Sequence, residues 1–297
     1  MATERELPKV DGDILYSSET NESLGFGDGT DGAFSESADT TNLTQGTIYQ
    51  YTSFLLDTNA TLSATTTSDK PIIIYVQGNC TINGTISLAG KGCPTTFDGY
   101  MLMPVNVTGY AGPGYGTKGS YYIVAGDHRK GGTAGGYLFN FKNNQKNFIM
   151  NGTAGGVGGS TTSPFGDSRG GGGGASSTND GIQGGAIGVT HTATAGVGGA
   201  GGCTIFIKIG GTLTFGANSS IDCSGADGSA GVGVNASGGG GGGSGDILIF
   251  HRGTKTDNGV TTDVTASVGG EGSGTSADGG AGAVGTVLIA LADTIAW

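Results

Sequence analysis

Four stretches of the chain share one order of apolar and polar positions. Each opens with a strongly apolar run, such as IIIYV at 72–76 or ILIF at 247–250, and a Gly or Asn corner usually follows. A shorter alternating run comes next, and the first three stretches close with a further run that ends in Gly. Short apolar runs bounded by Gly and Asn predict β-strands. The four stretches are 71–90, 203–225, 246–270 and 286–297, of which the last stops partway through the pattern.

A unit of about 20–25 residues with three short strands has the size of one turn of a parallel β-helix. Inward Ile, Leu and Val side chains of successive turns would stack, and Gly and Asn would take the tight corners. One turn cannot bury its own apolar face, so about three or more must pile up. We therefore expect Ile73, Ile205, Leu248 and Leu288 to lie in equivalent layers, with a partner subunit or the N-terminal region covering an end.

Residues 1–70 differ in pattern and are predicted to form an N-terminal β cap, lead-in strands for the solenoid, or an assembly arm. Period-2 alternation around Tyr49, Tyr51 and Phe54 makes these three side chains candidates for contacts with another subunit. Residues 71–297 are predicted to form the solenoid, and its unfinished last turn ends in Trp297, a fourth assembly candidate. The predicted fold class is all-β: a short parallel β-helix or solenoid-like domain with glycine-rich excursions.

The excursions are 91–202, 226–245 and 271–285. Each leaves after a small-residue corner and returns just before an apolar run, which predicts that all three emerge side by side from one edge of the solenoid. They could be unstructured linkers. The alternative is a bundle of polyglycine-II strands, extended threefold helices that hydrogen-bond to their neighbours rather than to themselves. Their return at fixed solenoid intervals favours the ordered bundle.

The long excursion 91–202 also carries many aromatic residues. They could build a small local core or a subunit contact. They could equally form a receptor or ligand face, because Tyr and Phe are rigid anchors in recognition surfaces. The candidates for that contact face are Tyr100, Tyr110, Tyr115, Tyr121, Tyr122 and Tyr137.

Composition separates this chain from common intracellular enzymes. Glycine supplies 65 of 297 residues and charged residues are 12%, a balance typical of fibres, adhesins and shells. The net charge is −11 without a Lys/Arg cluster, so no nucleic-acid partner is expected. No apolar run is long enough to span a membrane, and the polar Met1–Leu7 start shows no secretory signal. We expect a virion component or a protein of an extracellular surface.

Cysteine and asparagine positions leave two questions open. Cys80, Cys93, Cys203 and Cys223 form no CxxC pair and are either small buried thiols or members of one or two disulfides. Asn-x-Ser/Thr sequons would matter only on a glycosylating secretory route. They occur at Asn21, Asn42, Asn59, Asn79, Asn83, Asn106, Asn151, Asn218 and Asn235.

Catalytic motifs are weak, so we predict no enzymatic activity and no cofactor. The many Gly-x-Gly-x-x-Gly matches are expected by chance in so glycine-rich a chain. His251 is interpreted as a surface residue at a strand end, and Asp222, Asp246 and Asp263 also lie at strand ends. Asp28 and Asp31 are weak Ca²⁺ candidates that could instead form turns.

Three runs near the start resemble the opening of phage virion and tail-fibre-like proteins: FGDGTDGAF at 26–34, YTSFLL at 51–56 and the segment 72–92. The runs GGGGGGSGDILIF and GGAGAVGTVLIAL resemble glycine-rich solenoid adhesins and the polyglycine-II tip adhesins of T-even-like phage tail fibres. The resemblance implies a non-catalytic virion fibre that binds a host glycan or protein through its excursion loops, as a homo-oligomer.

Two other functions stay open. One is a self-assembling extracellular filament or sheath subunit whose copies exchange or stack strands through residues 1–70. The other is a carbohydrate-active enzyme on a β-helix, which would place an acid pair on one solenoid face.

Overall fold

The structure is a computed structural model. It describes residues 25–65, 67, 70–92, 196–233, 236, 238–265, 267–274 and 278–292. It also describes the backbone of four short strands at 136–140, 149–153, 168–169 and 189–190. Nineteen strands lie in these residues: β1 Ala33–Glu36, β2 Thr40–Leu43, β3 Ile48–Tyr51, β4 Ser53–Leu56, β5 Thr61–Ala64, β6 Ile72–Val76, β7 Cys80–Ile82, β8 Thr85–Ser87, β9 Gly136–Asn140, β10 Ile149–Thr153, β11 Ser168–Arg169, β12 Val189–Thr190, β13 Ile205–Ile209, β14 Leu213–Phe215, β15 Ser220–Asp222, β16 Ile247–His251, β17 Lys255–Asp257, β18 Thr261–Asp263 and β19 Val287–Leu291.

Fifteen of these strands form three parallel five-stranded sheets. The first sheet has the order β1-β4-β7-β14-β17, the second β2-β5-β8-β15-β18 and the third β3-β6-β13-β16-β19. Successive strands along the chain therefore visit the first, second and third sheets in rotation. The result is a β-solenoid-like all-β fold, which confirms the predicted fold class at this level. No helix in the described part of the chain is long and apolar enough to cross a bilayer.

The core is built from inward side chains that stack from coil to coil. In the third sheet Ile207 lies opposite Ile74 on one side and Ile249 on the other, and all three are fully buried. The alternation of buried and half-buried positions in β6 is the period-2 pattern of a strand with one face in the core. Phe54 of β4 and Phe215 of β14 extend from the first sheet into the same core.

The four equivalent apolar runs stack, with one shift of register. Ile73, Leu248 and Leu288 lie on one ladder of the third sheet, and Phe206 completes it between Ile73 and Leu248. Ile205 instead lies opposite Ile72, one position earlier, and is fully buried in the core. A shift by one residue turns a side chain to the other face of a strand. The expected layers are present, and only the alignment at Ile205 was off by one.

Residues 33–64 supply strands to the same three sheets as the later coils. β1 and β4 join the first sheet, β2 and β5 the second, and β3 the third. The sheets therefore run without interruption across position 70, and β1 to β5 are lead-in strands of the solenoid, one of the alternatives that the sequence left open. The solenoid gains stacked coils in this way, and each added coil buries the inner face of the next.

Candidate functional site: the glycine-rich bundle

The glycine-rich segments all join the solenoid at one corner. They leave after β8, β15 and β18 of the second sheet and return into β13, β16 and β19 of the third. At the first departure Gly90 has φ of 62°, a left-handed conformation that favours glycine. The leaving segments are 88–92, 223–231 and 264–272, all described except for residue 266, and the described returning segments are 196–203, 238–246 and 278–286.

Neighbouring returning segments are joined by backbone hydrogen bonds that recur every third residue. The amides of Gly199 and Gly202 donate to the carbonyls of Gly240 and Gly243, each at 2.8 Å. Farther out, the amides of Gly241 and Ser244 donate to Gly280 and Ala283, at 2.8 and 3.0 Å. Both members of each pair advance in the same direction, so these segments run parallel.

Backbone hydrogen bonds also join leaving segments to returning segments at every third residue, but these segments run in opposite directions. The amide of Gly242 donates to the carbonyl of Ala226 at 2.9 Å, and that of Gly245 donates to Cys223 at 2.6 Å. The donor advances by three residues while the acceptor steps back by three, so these segments are antiparallel. Three further bonds of this kind link the outer pair: Gly279 to Gly270, Gly282 to Ser267 and Gly285 to Val264.

Segment 238–245 lies at the centre of this network. Its described residues are all buried, and the four segments 196–203, 223–231, 264–272 and 278–286 all bond to it. A Cβ added to Gly239 or Gly242 would collide with the backbone of segment 196–203, and one added to Gly241 would lie 2.6 Å from the carbonyl oxygen of Ser267. The run GGGGGGSG is thus required by backbone packed against backbone on several sides.

Two buried serines bond across the described glycine-rich segments. Ser244 Oγ lies 2.8 Å from the carbonyl oxygen of Val264 and accepts a hydrogen bond from the amide of Gly285 at 2.6 Å. Ser267 Oγ donates to the carbonyl of Gly242. Both hydroxyls therefore connect one segment to another and keep buried backbone groups paired.

Asp246 lies where the central segment enters β16, with 1% of its surface exposed. Its amide donates to Thr204 Oγ1 at 3.1 Å, and its Oδ1 accepts from the amide of Thr286 at 2.7 Å. Its Oδ2 has no hydrogen-bond partner among the described residues. Burial disfavours the charged form and raises the pKa of this carboxyl to about 7, which the bond from Thr286 only partly opposes.

The sequence placed Asp246 only at a strand end and missed its burial. Thr204, Asp246 and Thr286 each immediately precede an apolar strand of the third sheet. Aligning the repeats by that position would have revealed an acid between two threonines. The burial itself depends on the bundle above it, which no short sequence window contains.

The predicted contact face lies mostly outside the described residues. This applies to Tyr100, Tyr110, Tyr115, Tyr121 and Tyr122. Tyr137 lies in β9, opposite Gly152 of β10 in a two-stranded antiparallel sheet. The residues at which the long excursion leaves and rejoins the solenoid are described. The amide of Gly92 donates to the carbonyl of Gly201, so the two ends of the excursion lie side by side.

The predicted assembly residues of the N-terminal region lie in or against the core. Tyr51 and Phe54 are 7% and 2% exposed, and Tyr49 packs against the same core cluster. Within the single chain these side chains pack on the solenoid core, and their predicted contact with another subunit stays a prediction. Trp297 lies outside the described residues.

Asp28 and Asp31 organise the first described turns. Asp28 Oδ1 accepts from the amide of Thr30 at 3.0 Å, and this bond lowers the pKa of the carboxyl. Asp31 Oδ2 accepts from the amide of Gln50 at 2.7 Å. No group of three or more His, Cys, Asp or Glu side chains in the described residues is arranged to hold a metal ion. Asp28 makes the contact of a turn-forming residue, whereas Asp31 joins the first turn to β3.

The cysteines and His251 are buried wherever the structure describes them. Cys80, Cys203 and Cys223 are buried free thiols, and Cys93 lies outside the described residues. His251, interpreted from sequence as a surface residue, is buried, and its Nδ1 lies 2.7 Å from the carbonyl oxygen of Gly253. It faces inward on the ladder that holds Ile209, and this ladder explains its burial.

The asparagines of the Asn-x-Ser/Thr sequons differ in exposure. Asn42, Asn59, Asn79 and Asn218 are exposed and Asn83 is half-buried. Asn151 lies in β10, and Asn21, Asn106 and Asn235 lie outside the described residues.

Comparisons with known proteins identify no relative of this chain. No family model, no curated protein and no solved structure matches this chain. The class of protein is therefore defined by its architecture: three parallel sheets in a solenoid-like arrangement, with glycine-rich segments bonded together at one corner.

Proposed function

We propose that this chain is a non-catalytic structural and adhesive protein, a fibre component of a virion or of another extracellular surface, which contacts its target through the long excursion. The observation that carries the proposal is the three-residue period of hydrogen bonds among the glycine-rich segments. Such a network turns glycine, the most flexible residue, into a rigid element. Rigidity of this kind is the property of a scaffold.

We infer that the segments form a polyglycine-II-like bundle. Extended threefold helices present one backbone amide to the same neighbour every third residue, which is the observed spacing. Glycines recur at the same interval where a Cβ would strike a neighbouring backbone, as at Gly196, Gly199 and Gly202. Ordering a residue costs about 1–2 kcal/mol, so a loose linker would not hold these bonds. The dense mutual network is what offsets that cost.

The bundle is well placed to display residues 93–195. The excursion departs at Gly92 and returns at Gly196, on segments whose bases are bonded through Gly92 and Gly201. Segment 196–203 is in turn bonded to the central segment 238–245. A sequence rich in tyrosine would thus be held on a rigid base, where its aromatic side chains can anchor a glycan or a protein surface.

One observation would suit the alternative that this chain is an enzyme. Asp222 and Asp263 are cross-strand neighbours in the second sheet, as an acid pair on a solenoid face would be. Each carboxylate, however, accepts a hydrogen bond from the amide two residues on, that of Ser224 at 2.9 Å and that of Thr265 at 2.8 Å. This is the geometry of an Asx turn. It favours a structural role for the pair.

A display test separates scaffold from binding surface. Residues 93–195, including β9 to β12, are replaced by the short connection 232–237 of the second excursion, which leaves the three five-stranded sheets and the described glycine-rich segments intact. Fluorescently labelled full chain and shortened chain are then titrated onto intact bacterial cells and onto an array of surface glycans. We expect binding by the full chain and at least a tenfold loss in the shortened chain, whose circular dichroism and melting temperature stay close to those of the full chain.

Two results would contradict the adhesive role. One is equal binding by the full and shortened chains, which would move the contact to the solenoid or the bundle. The other is a full chain that binds none of the tested surfaces. As a matched control, replacing Val232 and Val268, both exposed on the glycine-rich segments, with serine should leave binding unchanged.

A further inference from the structure

Among the described residues, the two ends of the solenoid present complementary edge strands. β1, β2 and β3 each border one side of a sheet, and β17, β18 and β19 border the opposite side of the same sheets. The described strands begin in the first sheet and finish in the third, so β1 of another copy would be the next strand in the rotation after β19. All pairings within the sheets are parallel, so a second copy placed in the same orientation would continue every ladder.

The third sheet supplies the apolar part of both ends. Ile48 is 52% exposed at one end and Leu288 is 41% exposed at the other. Both lie on one outward ladder, which runs through Ile73 and Leu248. Large apolar side chains left at an open strand edge favour pairing with another strand.

The inward side chains at the two ends of the third sheet are also complementary. Leu291 is 44% exposed at the β19 end, and its ladder runs back through His251 to Tyr51 of β3. Stacking a second copy would bring Leu291 over the partner's Tyr51 and cover the leucine. The core of the solenoid would then continue from copy to copy.

The second sheet adds polar pairs of the kind that stabilise sheets. Thr261 and Thr262 of β18 continue the ladders of Thr40 and Thr41 in β2. Threonine beside threonine across two strands is a favourable pair.

The first sheet opposes the contact. Its inward ladder runs from Glu36 through Phe215 to Asp257, so stacking would place Asp257 beside the partner's Glu36. Like charges directly opposite weaken a pair of strands, and inward-facing charge is a known protection of open edges. Lys255 lies 3.2 Å from Asp257 and partly neutralises it. A hydrogen bond from Thr41 lowers the pKa of Glu36, so the carboxylate is ionised at neutral pH.

We propose that a second copy of this chain docks head to tail on the solenoid, with β19 of one copy pairing with β3 of the next in the register that sets Leu288 against Ile48. The contact is heterologous, since two different surfaces meet, so repetition builds an open filament rather than a closed dimer. The third sheet provides the attraction, and the acidic residues of the first sheet limit its strength. The inference rests on the proposed structural role and names the partner as a copy of this chain.

Blocking one end at a time tests the contact. Ile48→Asp disables the β3 edge and Leu288→Asp the β19 edge, while each variant keeps its other end. Sedimentation velocity and negative-stain microscopy of the full chain should show concentration-dependent rods. Each variant alone should be monomeric, and an equimolar mixture of the two should form dimers and nothing longer. Val268→Asp, an exposed apolar position on a glycine-rich segment, should assemble like the unaltered chain.

Three results would overturn the proposal: a full chain that is monomeric at every concentration, variants that still form rods, or a mixture that stays monomeric. A charge variant gives a second measurement that does not depend on the apolar substitutions. Glu36→Gln removes the repulsion from Asp257 and should tighten assembly by about threefold. Unchanged or weaker assembly by Glu36→Gln would contradict the register.

Association and surface binding are read by different experiments. Rods formed by a chain that binds no surface would support stacking and contradict adhesion. A monomer that binds a surface through residues 93–195 would do the reverse.

Discussion

The coils and the glycine-rich bundle of this chain exclude water in opposite ways. In the coils, backbones lie at the margin and side chains fill the centre, with Phe54, Phe215 and Ile249 fully or almost fully buried. In the bundle, the centre is backbone itself, and segment 238–245 has no side chain larger than that of Ser244. The coils are held by apolar burial, whereas the bundle depends on close approach and hydrogen bonding.

This difference gives the two regions opposite sensitivities. A coil loses stability when a buried side chain is shortened, because a cavity remains. The bundle loses stability when a side chain is added, because the neighbouring backbone cannot move aside without breaking its own bonds. The difference can therefore be tested by removing atoms from one region and adding atoms to the other.

The largest effect is expected from truncation in the coils. Phe215→Ala should lower the free energy of unfolding by about 3–5 kcal/mol, because the ring is fully buried and the neighbouring coils prevent collapse around the cavity. Chemical denaturation followed by circular dichroism measures this loss. The matched truncation in the bundle, Val268→Ala, removes an exposed side chain and should change stability by less than about 0.5 kcal/mol. Similar losses in the two variants would remove the contrast between the regions.

Addition of a methyl group should be next in size. In Gly242→Ala the new Cβ would collide with the carbonyl of Ala200 in the neighbouring segment. We expect a loss of about 3 kcal/mol, at the upper end of what overpacking costs. Gly25→Ala is the control, because a Cβ there meets nothing within 4 Å. Thermal unfolding of both variants measures the difference, and a Gly242→Ala protein as stable as the control would mean that the bundle is loose.

The sequence predicted the coils after position 70 better than those before it, for a physical reason. Central coils such as β6 and β13 have neighbours on both sides, so their inward positions must be apolar and the repeat is visible. The first strands have one side without a described neighbouring strand, and their inward ladders end in Glu36 and Thr41. These polar ends do not resemble the repeat, so the pattern left β1 to β5 open as a cap, lead-in strands or an arm. The glycine segments were located by composition, but their hydrogen-bond partners lie in other excursions and are not encoded locally.

The smallest of these effects concerns the junction between the two regions, at Asp246. Its raised pKa of about 7 means that the fold favours the neutral acid over the carboxylate. The unfolded chain ionises near the ordinary value of about 3.9. Stability from this group is therefore fully present below that value and is lost as pH rises toward about 7. Between pH 5 and pH 8 we expect the free energy of unfolding to fall by about 2.5 kcal/mol.

Asp246→Asn should remove most of that pH dependence, because an amide keeps an acceptor for Thr286 and cannot ionise. The variant should be more stable than the unaltered chain at both pH values, with a larger advantage at pH 8 than at pH 5. Asp257→Asn serves as the control, since Asp257 is exposed and its pKa is lowered by hydrogen bonds from the amides of Gly259 and Val260. Denaturation curves at the two pH values decide the matter. If the decline persists in Asp246→Asn, the buried carboxyl at the base of the bundle is not its source.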